Sequence, residues 1–377
     1  MRVVMFYHSL ISDWNHGNAH FLRGIVSELL SRGHEVIVYE PRDGWSRRNL
    51  IAEHGGGAVT GFRRAFPHLS STFYDARTLN LDRALAGADV VMVHEWNEPA
   101  LVAAIGAHRR RRGHYRLLFH DTHHRAVSTP GEIGKLDLSS YDGVLAFGRV
   151  IGEVYRSRGW TRRVWAWHEA ADIRTFHPRS CARCRGDVVW IGNWGDEERT
   201  AELQEYLIEP VQRLGLRAAV YGVRYPESAI RALDRAGIAY KGWLPNHRVP
   251  EVFASYRATV HVPRGYYAKQ LPGIPTIRVF EALACGIPLV SAPWVDSEGL
   301  FRSGHDYLRA NNGDEMTAHL RDLLEDRRLG SALARNGRQT IERHHTCAHR
   351  VDELLSIIRD LHGTDTTSGF GPVASVA

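Results

Sequence analysis

Residues 264–291 read Arg264-Gly265-Tyr266-Tyr267-Ala268-Lys269-Gln270-Leu271-Pro272-Gly273-Ile274-Pro275-Thr276-Ile277-Arg278-Val279-Phe280-Glu281-Ala282-Leu283-Ala284-Cys285-Gly286-Ile287-Pro288-Leu289-Val290-Ser291. The stretch predicts a long cationic loop, a short helix over 276–284 closed by Gly286, and a strand over 288–291. Pro275 and Thr276 suit the first helical turn. A helix N-terminus beside Arg264, Lys269 and Arg278 can hold a diphosphate through charge-assisted hydrogen bonds. Glu281 follows Arg278 by three positions, on the same helix face. A carboxylate free of other partners there can accept hydrogen bonds from the two hydroxyls of a ribose. The plainer alternative is an Arg278–Glu281 surface ion pair, worth little.

Working outward, a strand over 258–262 precedes this loop, and the pattern before it alternates. Strands are expected over 187–191 and 218–221, with helices over 197–214 and 227–236. The first half repeats the scheme, with strands over 2–7, 35–39, 90–94, 116–119 and 143–146 and a helix ending near Leu30. Such alternation argues an α/β protein of parallel sheets covered by helices on both faces. The polar stretch 177–186 has no periodicity and reads as a linker. The expected organisation is a Rossmann-like domain over 1–176, the linker, and a second Rossmann-like domain over 187–340. A terminal helix over 341–362 would pack back toward the first domain, and the Thr/Ser/Gly-rich tail 363–377 is expected to be disordered. Two doubly wound sheets would face a central cleft, where the loops after their strands bind ligands.

Bulk properties agree. With 377 residues, 44% hydrophobic and 24% charged, the chain suits two soluble domains. No apolar run approaches the roughly eighteen residues of a membrane span, and residues 1–7 read as a strand rather than a secretory signal. Four scattered cysteines make no disulfide framework, which fits a cytoplasmic location. Cys181 and Cys184 form a lone C-x-x-C without a second pair, and read as incidental. The net charge of +6 admits a phosphorylated ligand or peripheral contact with an acidic membrane. Its densest run, Arg109 to Arg112, reads as a solvated helix end, and nucleic-acid-binding signatures are missing.

In the first half, the loop 8–20 carries Gly17 and Asn18 just before a helix. Gly17 either makes the turn alone or also admits an anion to backbone N–H groups, with Asn18 or Asp13 as a cap. His120-Asp121-Thr122-His123-His124 follows a strand. This loop admits metal ligands, an acid/base pair or polar contacts to a sugar. His94, at the end of the preceding strand, is a further candidate.

Residues 275–290 resemble the donor-binding segment of GT-B glycosyltransferases. They are most similar to the CgeB-like group of spore-maturation glycosyltransferases, whose version carries an arginine before Phe-Glu. Ile191-Gly192-Asn193-Trp194 with Arg199, Tyr221-Gly222, Gly242-Trp243-Leu244-Pro245 and 249–256 resemble further blocks in the family's order, and 172–178 resembles the exit from the first domain. The resemblance implies GT-B architecture, with the donor nucleotide on the C-terminal domain. Glu281 would hold the ribose, Trp243 and Leu244 would lie near the base, and Arg199 and Arg278 near the diphosphate. His120 falls where the family often places an active-site histidine. Two departures stand out: Gly273 replaces the earlier glutamate of many retaining relatives, and Asn193 replaces a usual arginine.

The implied activity is transfer of a sugar from a UDP- or GDP-linked donor to an acceptor hydroxyl, with no metal and no further cofactor. Cations at 199, 264, 269 and 278 would stabilise the leaving diphosphate. Gly17, Asn18 and His94 would line the acceptor or phosphate side. His120 or Asp121 would act as base in an inverting enzyme and as a sugar contact in a retaining one. The rival readings are a sugar-nucleotide epimerase, a non-catalytic nucleotide-sugar or glycan-binding protein, and a nucleic-acid-binding protein.

Overall fold

The computed structural model describes residues 1–181, 184–195 and 198–367, with side chains described through residue 362. Its strands are short apolar runs, buried on both faces where they are central, as parallel sheets require. They are β1 (Arg2–Phe6), β2 (Glu35–Pro41), β3 (Ser71–Tyr74), β4 (Val90–His94), β5 (Arg116–Asp121), β6 (Gly143–Ala146) and β7 (Val164–Ala166), then β8 (Gly186–Ile191), β9 (Ala218–Tyr221), β10 (Ala239–Tyr240), β11 (Tyr256–His261), β12 (Leu289–Ser291) and β13 (Leu308–Arg309). The first sheet runs β3-β2-β1-β4-β5-β6-β7 and the second β10-β9-β8-β11-β12-β13, every pairing parallel. In each sheet the order reverses at one point, between β1 and β4 and between β8 and β11. Those switch points are where open α/β sheets bind ligands.

The expected strands and the α/β class are present. The expected helix over 197–214 starts at Thr200 and passes through a π-helical turn, Gln204–Ile208, before Glu209–Leu214. Pro210 has no N–H for the carbonyl four residues back, and the wider turn absorbs that lost bond. The expected boundary at 340 falls inside the helix Arg327–His344; the chain breaks at His345–Thr346 instead. The terminal helix runs Cys347–Thr367, five residues into the expected tail, and the rest of that tail lies outside the described residues. Arg109 to Arg112 form the last turn of the helix Pro99–Arg112, where Arg112 pairs with Asp82 and Arg109 lies 3.7 Å from Asp142. Among the described residues no helix is long and apolar enough to cross a membrane.

One apolar cluster joins the halves. It runs from Phe21 and Ile25 of the helix Ala19–Ser31 through Trp167 and Phe176 to Phe280 and Leu283 of the helix Ile277–Cys285, and on to Val351 and Leu354. The terminal helix lies on the first domain: Trp167 Nε1 donates to the Arg350 carbonyl at 2.8 Å, and Arg32 pairs with Asp352 at 2.5 Å. A Cβ on Gly24 would sit 2.3 Å from Cys347 Sγ, so the two helices meet where only glycine fits. Ala171 and Thr346 are bridged in parallel, Ala171 N–H donating to the His345 carbonyl and Cys347 N–H to that of Ala171.

Candidate active site

The loop after β1 is pinned from below and then crosses to the second domain. Glu40, buried at the end of β2, accepts from Leu10 N (2.7 Å), Ile11 N (3.1 Å) and Ser9 Oγ (3.0 Å). Burial pushes its carboxyl up, against the pull of Ser71 and these donors. Arg23 donates to the carbonyls of Leu10 and Ile11 and, at 2.8 Å, to Asp13 Oδ2. Phe62 and Phe66 flank its guanidinium at 4.8 and 5.2 Å. Asp13 then accepts from Trp243 Nε1 and from the Asn246 backbone N–H, both at 3.0 Å, across the domain gap. Asn15, in a left-handed backbone conformation (φ 49°), is hydrogen-bonded to Asn193. Gly17 rests against Ile277 at the start of the helix Ile277–Cys285.

Opposite this loop, at the C-terminal ends of β8 and β11, lies a cleft of about 180 Å³. Arg199, Arg264, Arg278, Asn193, Thr276 and Gly17 are among its lining residues. A connected recess of about 30 Å³ is lined by Asp13, His16, Trp243, Leu244, Asn246 and Arg278. The structure therefore brings together most of the donor-side residues expected from sequence, with two exceptions. Glu281 lies buried behind the cleft and lines neither it nor the recess. Lys269 is exposed on the helix Gly265–Lys269, 3.8 Å from Glu202. Arg199 is buried and largely committed, donating to the carbonyls of Val262, Trp194 and Asn193; burial pulls its pKa down to about 10. Arg264 pairs with Glu198. His261, which sequence reading passed over, occupies the Thr276 hydroxyl (3.0 Å), so that Thr276 does not cap the helix behind it. That leaves the helix N-terminus directed at the cleft.

Glu281 is fully buried in the interface. Its Oε1 accepts from His20 Nδ1 (3.0 Å) in the first domain and from Asn246 Nδ2 (3.2 Å), and Oε2 accepts from Arg278. The carboxylate thus already has partners: of the two alternatives open from sequence, the Arg278–Glu281 pair is the one formed, though buried rather than at the surface. Burial works against its charge, yet Arg278 and His20 hold the carboxyl below the ordinary range. The Asp172 N–H donates to His20 Nε2, which fixes the ring with Nδ1 toward Glu281. Gly273, at φ +91°, explains the missing earlier glutamate: a Cβ there would lie 2.6 Å from Glu298 Cγ. Glu298 itself accepts from the Arg149 N–H and bonds His168 at 2.8 Å.

The histidine-rich loop sits deeper than sequence implied. His120 is buried, its Nδ1 hydrogen-bonded to Tyr7 Oη at 2.5 Å and its ring 4.8 Å from Trp167. Burial lowers its pKa to about 3. Asp121 accepts from Tyr155 Oη and the His123 N–H. Burial pushes the carboxyls of Asp121 and Glu95 up. His94 bonds Thr122 Oγ1 at 3.0 Å and stacks on Tyr7, while the Asn18 amide donates to the Thr122 carbonyl. None of His94, His120, Asp121 and Asn18 lines the 180 Å³ cleft or its recess. His16 does line the recess, with its Nε2 unpartnered and its pKa held well below the ordinary value by burial. Among the described residues no group of His, Cys, Asp and Glu is arranged to hold a metal.

Glu169 is a second group missed in the sequence. It is buried beside Glu281 and Arg278, Oε1 has no partner, and burial raises its pKa from 4.5 to about 8. Between those pH values the folded protein holds a proton that the unfolded chain has released, so stability falls as pH rises, by up to about 1.4 kcal/mol per unit. Glu169→Gln keeps the shape without the titration. Urea midpoints measured from pH 5 to 8 should show the variant gaining on the wild type as pH increases; a gap that ignores pH would refute the assignment.

Residues 199–356 match the sequence model of a family described as glycosyl transferase-like. Among curated proteins there is no significant match. Solved structures are similar across nearly the whole chain. Anabaena HepE, solved with UDP and glucose, gives a TM-score of 0.66 at 13% identity, over 94% of this chain and 99% of its own. An α-glucosyltransferase solved with UDP gives 0.69 at 12% identity, over 95% and 100%. Sucrose-phosphate synthase of Thermosynechococcus elongatus gives 0.66 at 12%, over 97% and 100%. At these identities the likeness is one of fold, and the fold is GT-B.

Proposed function

We propose that this protein is a glycosyltransferase that moves a sugar from a nucleoside-diphosphate donor, held on the C-terminal domain, to an acceptor hydroxyl presented by the N-terminal domain. The observation that carries the reading is the cleft between the two switch points, where an uncapped helix N-terminus and four arginines, Arg199, Arg224, Arg264 and Arg278, converge. Such a cleft stabilises a leaving diphosphate by fixed charge, without requiring a metal. The glycosyl transferase-like match over 199–356 includes all four of those arginines and the helix Ile277–Cys285, and the resemblance to the CgeB-like group rests on the same helix. HepE and the α-glucosyltransferase were both solved with UDP, which favours uridine over guanosine.

At about 180 Å³ the cleft is smaller than the roughly 300–1,000 Å³ of a small-molecule site, so donor entry requires the domains to part. Parting separates His20 from Glu281 and frees a carboxylate oxygen for the ribose. In an inverting transfer the acceptor oxygen bonds the anomeric carbon as the bond to the diphosphate breaks, and the hydroxyl proton goes to a base. His16 is the better candidate for that base, because it lines the recess whereas His120 lies behind Tyr7.

Calorimetric titration of the intact protein with UDP and GDP, with and without a chelator, tests this reading. One nucleotide should bind with an affinity indifferent to the chelator. If neither binds, the proposal fails; if binding needs a divalent cation, the metal-free mechanism fails.

A further inference from the structure

A second cleft, of about 700 Å³, opens on the N-terminal domain at the C-terminal ends of β2, β3 and β4. Two indoles stand in its wall, Trp45 at 40% and Trp96 at 44% exposed, although large apolar rings are usually covered. Both are held in place from behind. Trp45 packs edge-on to Trp14 at 5.0 Å, and Arg125 lies over Trp96 at 4.5 Å.

Between the rings the lining carries three guanidiniums, Arg42, Arg48 and Arg77, and three carboxylates, Asp43, Asp75 and Glu98. Among the described residues none of these six forms an ion pair. His8 lines the same cleft and meets His16 at 4.9 Å, which links it to the donor recess.

We infer that this cleft is the acceptor site and that its occupant is an uncharged saccharide, seated with a ring against an indole. The inference rests on the transferase reading above. An indole face covers the C–H face of a pyranose, and planar guanidinium and carboxylate groups offer paired donors and paired acceptors to neighbouring hydroxyls. The three-to-three charge balance argues against a polyanion, whose binding relies on surplus cations. That bears on nucleic acid in particular, since the related α-glucosyltransferase has been solved with a DNA 13-mer.

The test uses the full-length protein and saturation-transfer NMR. The probes are uncharged disaccharides of glucose, galactose, mannose and N-acetylglucosamine, with a single-stranded DNA 13-mer as the polyanion. At least one disaccharide should bind. Trp96→Ala should weaken it roughly tenfold, Trp96→Phe should restore most of the affinity, and the affinity for UDP should not change. The inference is overturned if no disaccharide binds, if Trp96→Ala leaves binding intact, or if the DNA binds more tightly with a steep salt dependence. Failure of UDP and GDP to bind would count against the donor reading instead, and tryptophan-dependent saccharide binding would survive it.

Discussion

Glu281→Ala is expected to destabilise the protein by about 3 kcal/mol and to weaken nucleotide binding at the same time. The carboxylate is fully buried, and its removal strands His20, Asn246 and Arg278 at once. Losing one partner of a buried pair typically costs about 3–5 kcal/mol, and the partial exposure of Arg278 places this case at the lower end. Urea unfolding at neutral pH measures the first effect, and calorimetry with UDP the second. The pH dependence separates charge from shape. The folded carboxyl lies below its ordinary 4.5, so its contribution is complete above that value and is lost only as pH falls through the lower folded value. The gap between wild type and Glu281→Gln should therefore hold from neutrality down to about pH 4.5 and close in more acid solution. Full stability of the alanine variant at pH 7 would refute the strut role, and unchanged UDP affinity would refute the ribose role.

The second large effect belongs to Arg23. Both it and Asp13 are buried, 2.8 Å apart, and Asp13 is the residue that reaches Trp243 and Asn246 in the other domain. Arg23→Ala should cost about 3–5 kcal/mol and reduce sugar transfer as well, because the loop bearing His16 and Gly17 loses its anchor. Arg23→Lys should recover little. An ammonium cannot reproduce the separate donations to the Leu10 and Ile11 carbonyls, nor the flat contact with Phe62 and Phe66. A double-mutant cycle with Asp13→Ala should show strong coupling; additive losses would mean that the pair does not act as a unit.

Much of this architecture is legible in the chain because its central strands are apolar runs between helical patterns. The four strands that pass unnoticed, β3, β7, β10 and β13, are sheet edges of two to four residues. With a neighbour on one side only, each is partly exposed, and at two to four residues each is too short for a pattern to stand out. The residues proposed for the donor side could be picked out of the chain because Arg278, Glu281 and Asn193 lie within or beside compact motifs. Arg278 is visible as a partner of Glu281 three positions away, but His20 is not, because it is 261 residues away in sequence. His120 misleads for a different reason. It closes the run Leu117-Leu118-Phe119, and every residue of β5 is buried, so the ring faces the core before the chain reaches the open loop. Glu169 offers one faint signal, a single carboxylate between Trp167 and the Ala170-Ala171 pair that go into the interior.

The stitching of Ala171 to Thr346 sets how such a molecule can move. The polypeptide passes from one half to the other twice, and both passages are fastened side by side, so together they act as a single pivot and leave the halves one axis of swing. His20 touches Asp172 and Phe176 close to that pivot, whereas Asn15 meets Asn193 farther out along the jaw. On the proposed function, a swing that opens the outer lip to a nucleotide must also be wide enough near the pivot to draw His20 off Glu281, since the buried carboxylate is otherwise closed to a ribose.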